Sequence, residues 1–292
     1  MIRPSTFSIV AYDHQEQALG IAVASKFLGV GSVVPWAQAG AGAVATQSYA
    51  NTSYGPRGID LMERGLTAQE TLDVLLRNDS GRELRQVGIV DHLGNAATFT
   101  GSGCFEWAGG LTGNGFAVQG NILAGEDVVH TMADTFEKTT GPLPHRLLQA
   151  LLAGDHAGGD RRGRQSAALL VVKPRGGYGG FNDRWVDYRV DDDPQPIEKL
   201  QAILELHDLY FSSSPPEDRI KLQGEQLKKL QKVMALQGYY QGEITGIYDK
   251  TTRSALEAFT GSENFEERVD LNEGLIDRPV FDYLLKRFGK QE

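Results

Sequence analysis

Cysteine is almost absent: Cys104 is the single thiol in 292 residues. The chain therefore holds neither an internal disulfide nor a thiolate metal cluster, and nothing in it requires an oxidising compartment. Positive charge is also in deficit. Lysine and arginine number 29 against 38 aspartates and glutamates, a formal net charge of −9. That balance excludes binding to a phosphate backbone as the main activity, so nucleic acid is not an expected partner.

A membrane-spanning run is missing too. The uncharged stretch from Phe27 to Pro56 is broken by repeated glycine, Pro35 and Gln38 and ends in polar Thr46-Gln-Ser. It reads as buried strands rather than a bilayer helix, and no membrane partner is expected. The amino terminus, Met1-Ile-Arg-Pro-Ser-Thr6, lacks the apolar core of a secretory signal, so a cytoplasmic location is expected.

Metal and cofactor patterns are scarce. His14, His92, His130, His145, His156 and His207 never fall at the i, i+4 spacing that puts two ligands on one helix face. Asp191-Asp-Asp193 reads as a helix-start cluster favoured by the helix dipole. Gly109 to Gly115 is glycine-rich but lacks the Gly-Lys-Ser/Thr ending of a phosphate cradle. Neither metal nor cofactor is expected.

What is present is a soluble, globular composition, 40% apolar and 23% charged, with room for two domains. Residues 1–216 hold 28 of the 35 glycines, whereas residues 217–292 hold 7 lysines against 4 upstream. The change falls at Ser212-Ser-Ser-Pro-Pro216, which predicts domains over 1–212 and 217–292. In the first domain, Thr6–Tyr12 and Leu19–Ser25 read as a β-hairpin, followed by strands at 41–47, 86–91, 96–100, 116–123, 166–173 and 185–190. Helices are predicted within 54–78, with a capping box at Thr67-Ala-Gln-Glu70, and at 127–137, 143–153 and 194–210. This order predicts sheets covered by helix pairs, an α+β arrangement rather than a doubly wound parallel sheet.

The densest chemistry lies in Gly158-Gly-Asp160-Arg161-Arg162-Gly-Arg164-Gln165-Ser166. Glycines turn the backbone sharply and guanidinium groups grip carboxylates, although the run reads equally as an ordinary charged loop. Gln47 and Asn51 close one strand, and Gln119 and Asn121 another. Amides at strand ends either donate to a developing oxyanion or satisfy turn backbone. Cys104 has no sequence-adjacent base and reads as a small packed residue.

Taken together, Thr6-Phe-Ser-Ile-Val-Ala, Gly20–Lys26, Val34-Pro-Trp36, Ala43–Gln47, Gln119-Gly-Asn121 and Gly158–Ala168 resemble the DUF1028 family, grouped with the N-terminal-nucleophile (Ntn) hydrolases, over roughly residues 5–210. The resemblance implies a four-layer αββα sandwich. It places Thr6 at the strand-opening position whose side chain attacks an amide carbonyl while its own α-amine serves as base. Five residues precede Thr6. That role therefore requires cleavage of the Ser5–Thr6 bond, or Lys26 as an alternative base. By the same resemblance Asn121 or Gln47 stabilises the oxyanion, while Asp160, Arg161 and Arg164 orient substrate; Asn51, Gln119 and Gln165 join the candidate binding residues. Thr6 reads otherwise as a β-branched residue that simply opens a strand.

Leu227–Gln231, Leu236–Tyr240, Gly242–Gly246 and Thr251–Phe259 are similar to the peptidoglycan-binding domain family, a small all-α three-helix module. Leu227, Leu230, Val233 and Met234 form one helix face, Gly238 ends that helix, and Leu256 and Phe259 pack back on it. Val280, Tyr283 and Leu284 supply the third helix. Tyr239 and Tyr240 read either as ligand-stacking rings or as core caps.

The resulting expectation is an amidohydrolase that cleaves a C–N bond in a small amide or peptide-like substrate, with a cell-wall fragment as partner of the tail module. The other class is a noncatalytic protein of the same fold that holds an acidic metabolite or muropeptide-like ligand through Arg161 and Arg164. A homo-oligomer is compatible with either.

Overall fold

The computed structural model of the chain describes residues 6–212 and 214–289. It divides into two units, one ending at Leu204 and the other beginning at Glu205.

The first unit opens with β1 (Thr6–Asp13) and β2 (Ala18–Ser25), an antiparallel hairpin in which Asp13 accepts from the Gln15 and Glu16 amides. β3 (Pro35–Gln38) and β4 (Gly42–Ser48) follow, then α1 (Tyr54–Glu63) and α2 (Ala68–Arg77). β5 (Arg85–Asp91), β6 (Ala96–Thr100), β7 (Gly109–Gly113) and β8 (Phe116–Asn121) come next. α3 (Asp127–Lys138) and α4 (Leu143–His156) precede β9 (Ser166–Val172) and β10 (Arg184–Val190). α5 (Pro196–Phe211) runs across the division between the units.

The strands form two antiparallel sheets, β10-β9-β2-β1-β8-β7 and β3-β4-β5-β6. β1 lies inside the larger sheet and its side chains alternate between two cores. Phe7, Ile9 and Ala11 join Met132, Leu147 and Leu151 of α3 and α4. Val10 joins Ala43, Ala45 and Val90 of the smaller sheet. The opposite face of that sheet, with Val44, Val87 and Ile89, packs on Tyr54, Met62 and Leu75 of α1 and α2. Each large apolar side chain so buried contributes roughly 1.5–3 kcal/mol. This two-sided burial explains why β1 and β2 read as continuous apolar runs.

The capping box is present: the Glu70 amide donates to the Thr67 hydroxyl and Glu70 accepts from the Thr67 amide. The Phe27–Pro56 stretch holds β3, β4 and the start of α1, and no helix among the described residues is long and apolar enough to cross a membrane. Two strands of this unit escape sequence reading. β7 lies at a sheet edge and is mostly glycine, and β3, also at an edge, begins at Pro35.

The second unit contains β11 (Arg219–Lys221), α6 (Gly224–Leu236), α7 (Lys250–Ser262), β12 (Val269–Asp270), β13 (Leu275–Asp277) and α8 (Arg278–Phe288). The three helices are accompanied by an antiparallel sheet, β11-β13-β12, so the unit is helical but not all-α. Strands of two or three residues are too short to show a period of two. Leu227, Leu230, Leu256, Phe259, Val280 and Leu284 form its core, and Gly238 takes a φ of 82° just past α6. The Tyr240 hydroxyl donates to the Glu243 carbonyl at 2.8 Å and Tyr239 packs on Phe259, so both rings cap this core.

Candidate active site

Thr6, Ser8 and Val10 share one face of β1, the face turned toward the smaller sheet. Thr6 opens the strand, sits opposite Asn121 of β8, and is 2% exposed. Its hydroxyl donates to that of Ser25, the last residue of β2, at 3.3 Å. Ser25 is itself paired in register with Ser166 of β9. The Ser166 hydroxyl donates to the Phe27 carbonyl and accepts from the Val30 amide at 3.1 Å, fixing the loop beyond β2.

Between the sheets lies a layer of buried amides. Gln47 Nε2 donates to the Thr6 main-chain carbonyl at 3.2 Å and to Gln86 Oε1 at 2.8 Å, while Gln47 Oε1 accepts from Ser8 at 2.7 Å. Gln119 Nε2 donates to the Ser8 hydroxyl at 2.7 Å, and Asn121 Nδ2 to Gln86 Oε1 at 2.9 Å. Gln86 in turn donates to the Gly120 carbonyl at 2.7 Å. A buried amide is tolerated when its donors and acceptors are paired, and Gln47, Gln86 and Gln119 find partners within and across the sheets. Gly88 is required beside it, since a Cβ there would lie 2.1 Å from Gln119 Oε1.

Thr6 and Gln47 line a cleft of about 360 Å³, with Ser48, Tyr49 and Arg85 as the other polar residues and Phe27, Val30, Val33 and Val34 as an apolar wall. Ser48 has a φ of 69°, which turns the chain as β4 ends at the cleft. Beside it, Asp79 accepts from Arg85 Nε at 2.9 Å, Asn51 Nδ2 at 3.0 Å and the Tyr54 hydroxyl at 2.9 Å. The Arg85 guanidinium holds the Asp79 carboxyl well below the usual carboxylate range, and burial with the Asp79 hydrogen bond pushes the Tyr54 phenol up. Burial also raises the Cys104 thiol, whose Sγ donates to the Arg85 carbonyl, so it is a packed thiol rather than a thiolate.

The charged loop forms a separate constellation. Asp160 is 6% exposed and accepts from the Lys26 amide at 2.7 Å and the Arg162 guanidinium at 3.0 Å. Arg164 pairs with Asp155 at 2.7 Å, which raises the guanidinium's already high value, and Lys26 Nζ donates to the Arg164 carbonyl at 3.2 Å. Asp155, Asp160, Arg161 and Arg164 line a second cavity of about 490 Å³, which shares no lining residue with the Thr6 cleft. Gln165 donates to Asp192 at 3.0 Å.

The structure thus joins Thr6, Gln47, Gln119 and Asn121 in one network, Lys26, Asp160 and Arg164 in another, and Asn51 with Asp79. Ser8, Ser25, Gln86 and Arg85 were not singled out from the sequence. For Ser8 and Gln86 a signal existed, a polar side chain inside an otherwise apolar strand.

Two antiparallel sheets packed on helices, with a hydroxyl at the head of an inner strand and a polar cleft around it, define the class of the first unit. Residues 6–200 match the model described as "Family of unknown function (DUF1028)", and the chain belongs to that family. Residues 210–284 match "Putative peptidoglycan binding domain". A crystal structure of a Silicibacter pomeroyi protein carrying the same DUF1028 model is similar at 32% identity and a TM-score of 0.65, covering 71% of this chain and 88% of that one. No curated protein matches the chain.

Proposed function

We propose that the DUF1028 unit is an Ntn-type amidohydrolase, a four-layer αββα sandwich with Thr6 as nucleophile. The observation that carries this reading is the place of Thr6: head of an inner strand, buried, bonded to Ser25, and lining the cleft. The two sheets with a helix pair on each outer face support the sandwich.

In this reaction, cleavage of the Ser5–Thr6 bond frees an α-amine; residues 1–5 lie outside the described residues. An α-amine titrates near pH 7.7–8.0, so it accepts the Thr6 hydroxyl proton close to neutrality. The hydroxyl oxygen attacks the amide carbon, the C–N bond breaks, and the departing amine takes that proton. Water then hydrolyses the ester, releasing a carboxylic acid and restoring the hydroxyl. Gln47, which lines the cleft, and Asn121, opposite Thr6 in the sheet, are the oxyanion candidates. Lys26, whose Nζ donates to the Arg164 carbonyl, is the alternative base or electrostatic activator, and Asp160, Arg161 and Arg164 are the candidate charged groups that orient substrate. The test is amine release from a panel of N-acyl amino acids by the full chain and by Thr6→Ala. Turnover disappears in the variant, and turnover that persists sinks the assignment.

One observation favours a noncatalytic binder: Arg161 and Arg164 line a cavity apart from Thr6. Binding there predicts thermal stabilisation by a dicarboxylate such as succinate, lost in Arg164→Ala and kept in Thr6→Ala. For the second unit the family match supports a cell-wall fragment as ligand. Soluble muropeptide binding by the full chain, read by calorimetry, tests it, and absence of heat counts against it.

A further inference from the structure

Arg85 alone carries charge among the described residues that line the Thr6 cleft. Its side chain is 20% exposed, and two acceptors pin it: Asp79 Oδ2 on Nε at 2.9 Å and the Tyr49 carbonyl on Nη1 at 2.6 Å. A guanidinium has five N–H donors, so most of its donor capacity remains after these two bonds. Nη2 makes no hydrogen bond within the described residues. Gly81 leaves it room, since a Cβ there would lie 2.7 Å from Nη2.

Asp79, by contrast, is saturated. Beyond Arg85 it accepts from Asn51, Tyr54 and, on Oδ1, the Gly81 amide at 2.8 Å. The guanidinium is therefore fixed in place by a carboxylate with its lone pairs already used, and an arginine so held loses little freedom when it meets a further acceptor. The apolar part of the wall is formed by Val30 and Val34, which are 1% and 2% exposed, with Val33 and Phe27 beside them. A volume near 360 Å³ suits a small molecule.

We propose that the Thr6 cleft selects an N-acyl aliphatic amino acid, whose free carboxylate is received by Arg85 while its side chain lies on the Val30–Val34 wall. The inference rests on the hydrolase reading for placing the scissile amide at Thr6. It names a specificity residue, Arg85, distinct from the arginines of the 158–166 loop.

The test measures binding without turnover, using the full-length Thr6→Ala chain and two probes of matched shape, N-acetyl-L-leucine and N-acetyl-L-leucinamide. The acid binds about tenfold more tightly than the amide, the factor expected when a hydrogen bond to a charged group is gained. Adding Arg85→Gln reduces the difference to about twofold or less, at the level of an ordinary neutral contact. Because that change leaves Asp79 without its partner, a second background, Arg85→Gln with Asp79→Asn, removes both charges and gives the same reduction. Equal binding of the two probes, binding of neither, or an acid preference that survives both backgrounds overturns the proposal. Selective acid binding with no turnover by the wild-type chain counts against the hydrolase reading and leaves Arg85 standing. Turnover of amides without regard to a free carboxylate does the reverse.

Discussion

The side-chain amide of Gln47 on β4 donates to the main-chain carbonyl of Thr6 on β1 at 3.2 Å, a bond from one sheet to the other. The residue that opens the inner strand is thus positioned by the smaller sheet as well as by its own neighbours. Gln47 also serves Ser8 and Gln86, so the site and the packing of the sheets share one polar network.

Gln47→Leu breaks that sharing. It leaves the Ser8 hydroxyl, Gln86 Oε1 and the Thr6 carbonyl short of a partner in a buried layer. The expected loss of stability is about 1–3 kcal/mol, read as a lower urea midpoint at unchanged slope. A midpoint equal to wild type would remove the network from the account of stability.

Asp79 makes the structure acid-sensitive. Its carboxyl is held below the ordinary value, first by the Arg85 hydrogen bond and then by those of Asn51, Gly81 and Tyr54. A lowered folded-state value stabilises the fold above the unfolded aspartate value, about 3.9, and that contribution fades as pH falls further toward the folded one. Between pH 7 and pH 3, the wild-type chain therefore loses more of its urea midpoint than Asp79→Asn does. Identical losses in the two proteins contradict the ion pair's part in stability.

Leu256 is fully buried in the core of the second unit, against α6 and α8. Leu256→Ala removes three carbons, a methine and its two methyls, from a packed site and costs about 2–5 kcal/mol. Hydrogen exchange resolved along the chain shows the loss as reduced protection over residues 224–262. Unchanged protection there means that Leu256 does not carry this core.

The β1–β2 hairpin was legible because both strands are buried on both faces, and the start of α2 because Thr67 and Glu70 stand at capping-box spacing. The candidate role of Thr6 came from the resemblance to a family whose strand-opening residue is the nucleophile; the local pattern alone marks it only as a β-branched residue at the head of a strand. What brings Gln86 to Gln47 is the β4–β5 register, and what brings both to Thr6 is the stacking of two sheets; neither leaves a mark in local spacing. Arg85 carries no signal of its own, since nothing in the sequence says that Asp79, six residues earlier, will pin it. The 158–166 run was conspicuous for its charge, yet Asp160 and Arg162, and Arg164 with Asp155, are paired with one another. The β11–β13 sheet was too short to register as alternation.

The most direct measurement of the central claim is the intact mass of the full chain after incubation at neutral pH, beside that of Thr6→Ala. If Thr6 acts through its own α-amine, the wild-type protein loses the mass of residues 1–5 and the variant keeps it. A wild-type mass that stays full length, or a loss shared by both proteins, contradicts self-cleavage at the Ser5–Thr6 bond and with it the Thr6 mechanism proposed for this fold.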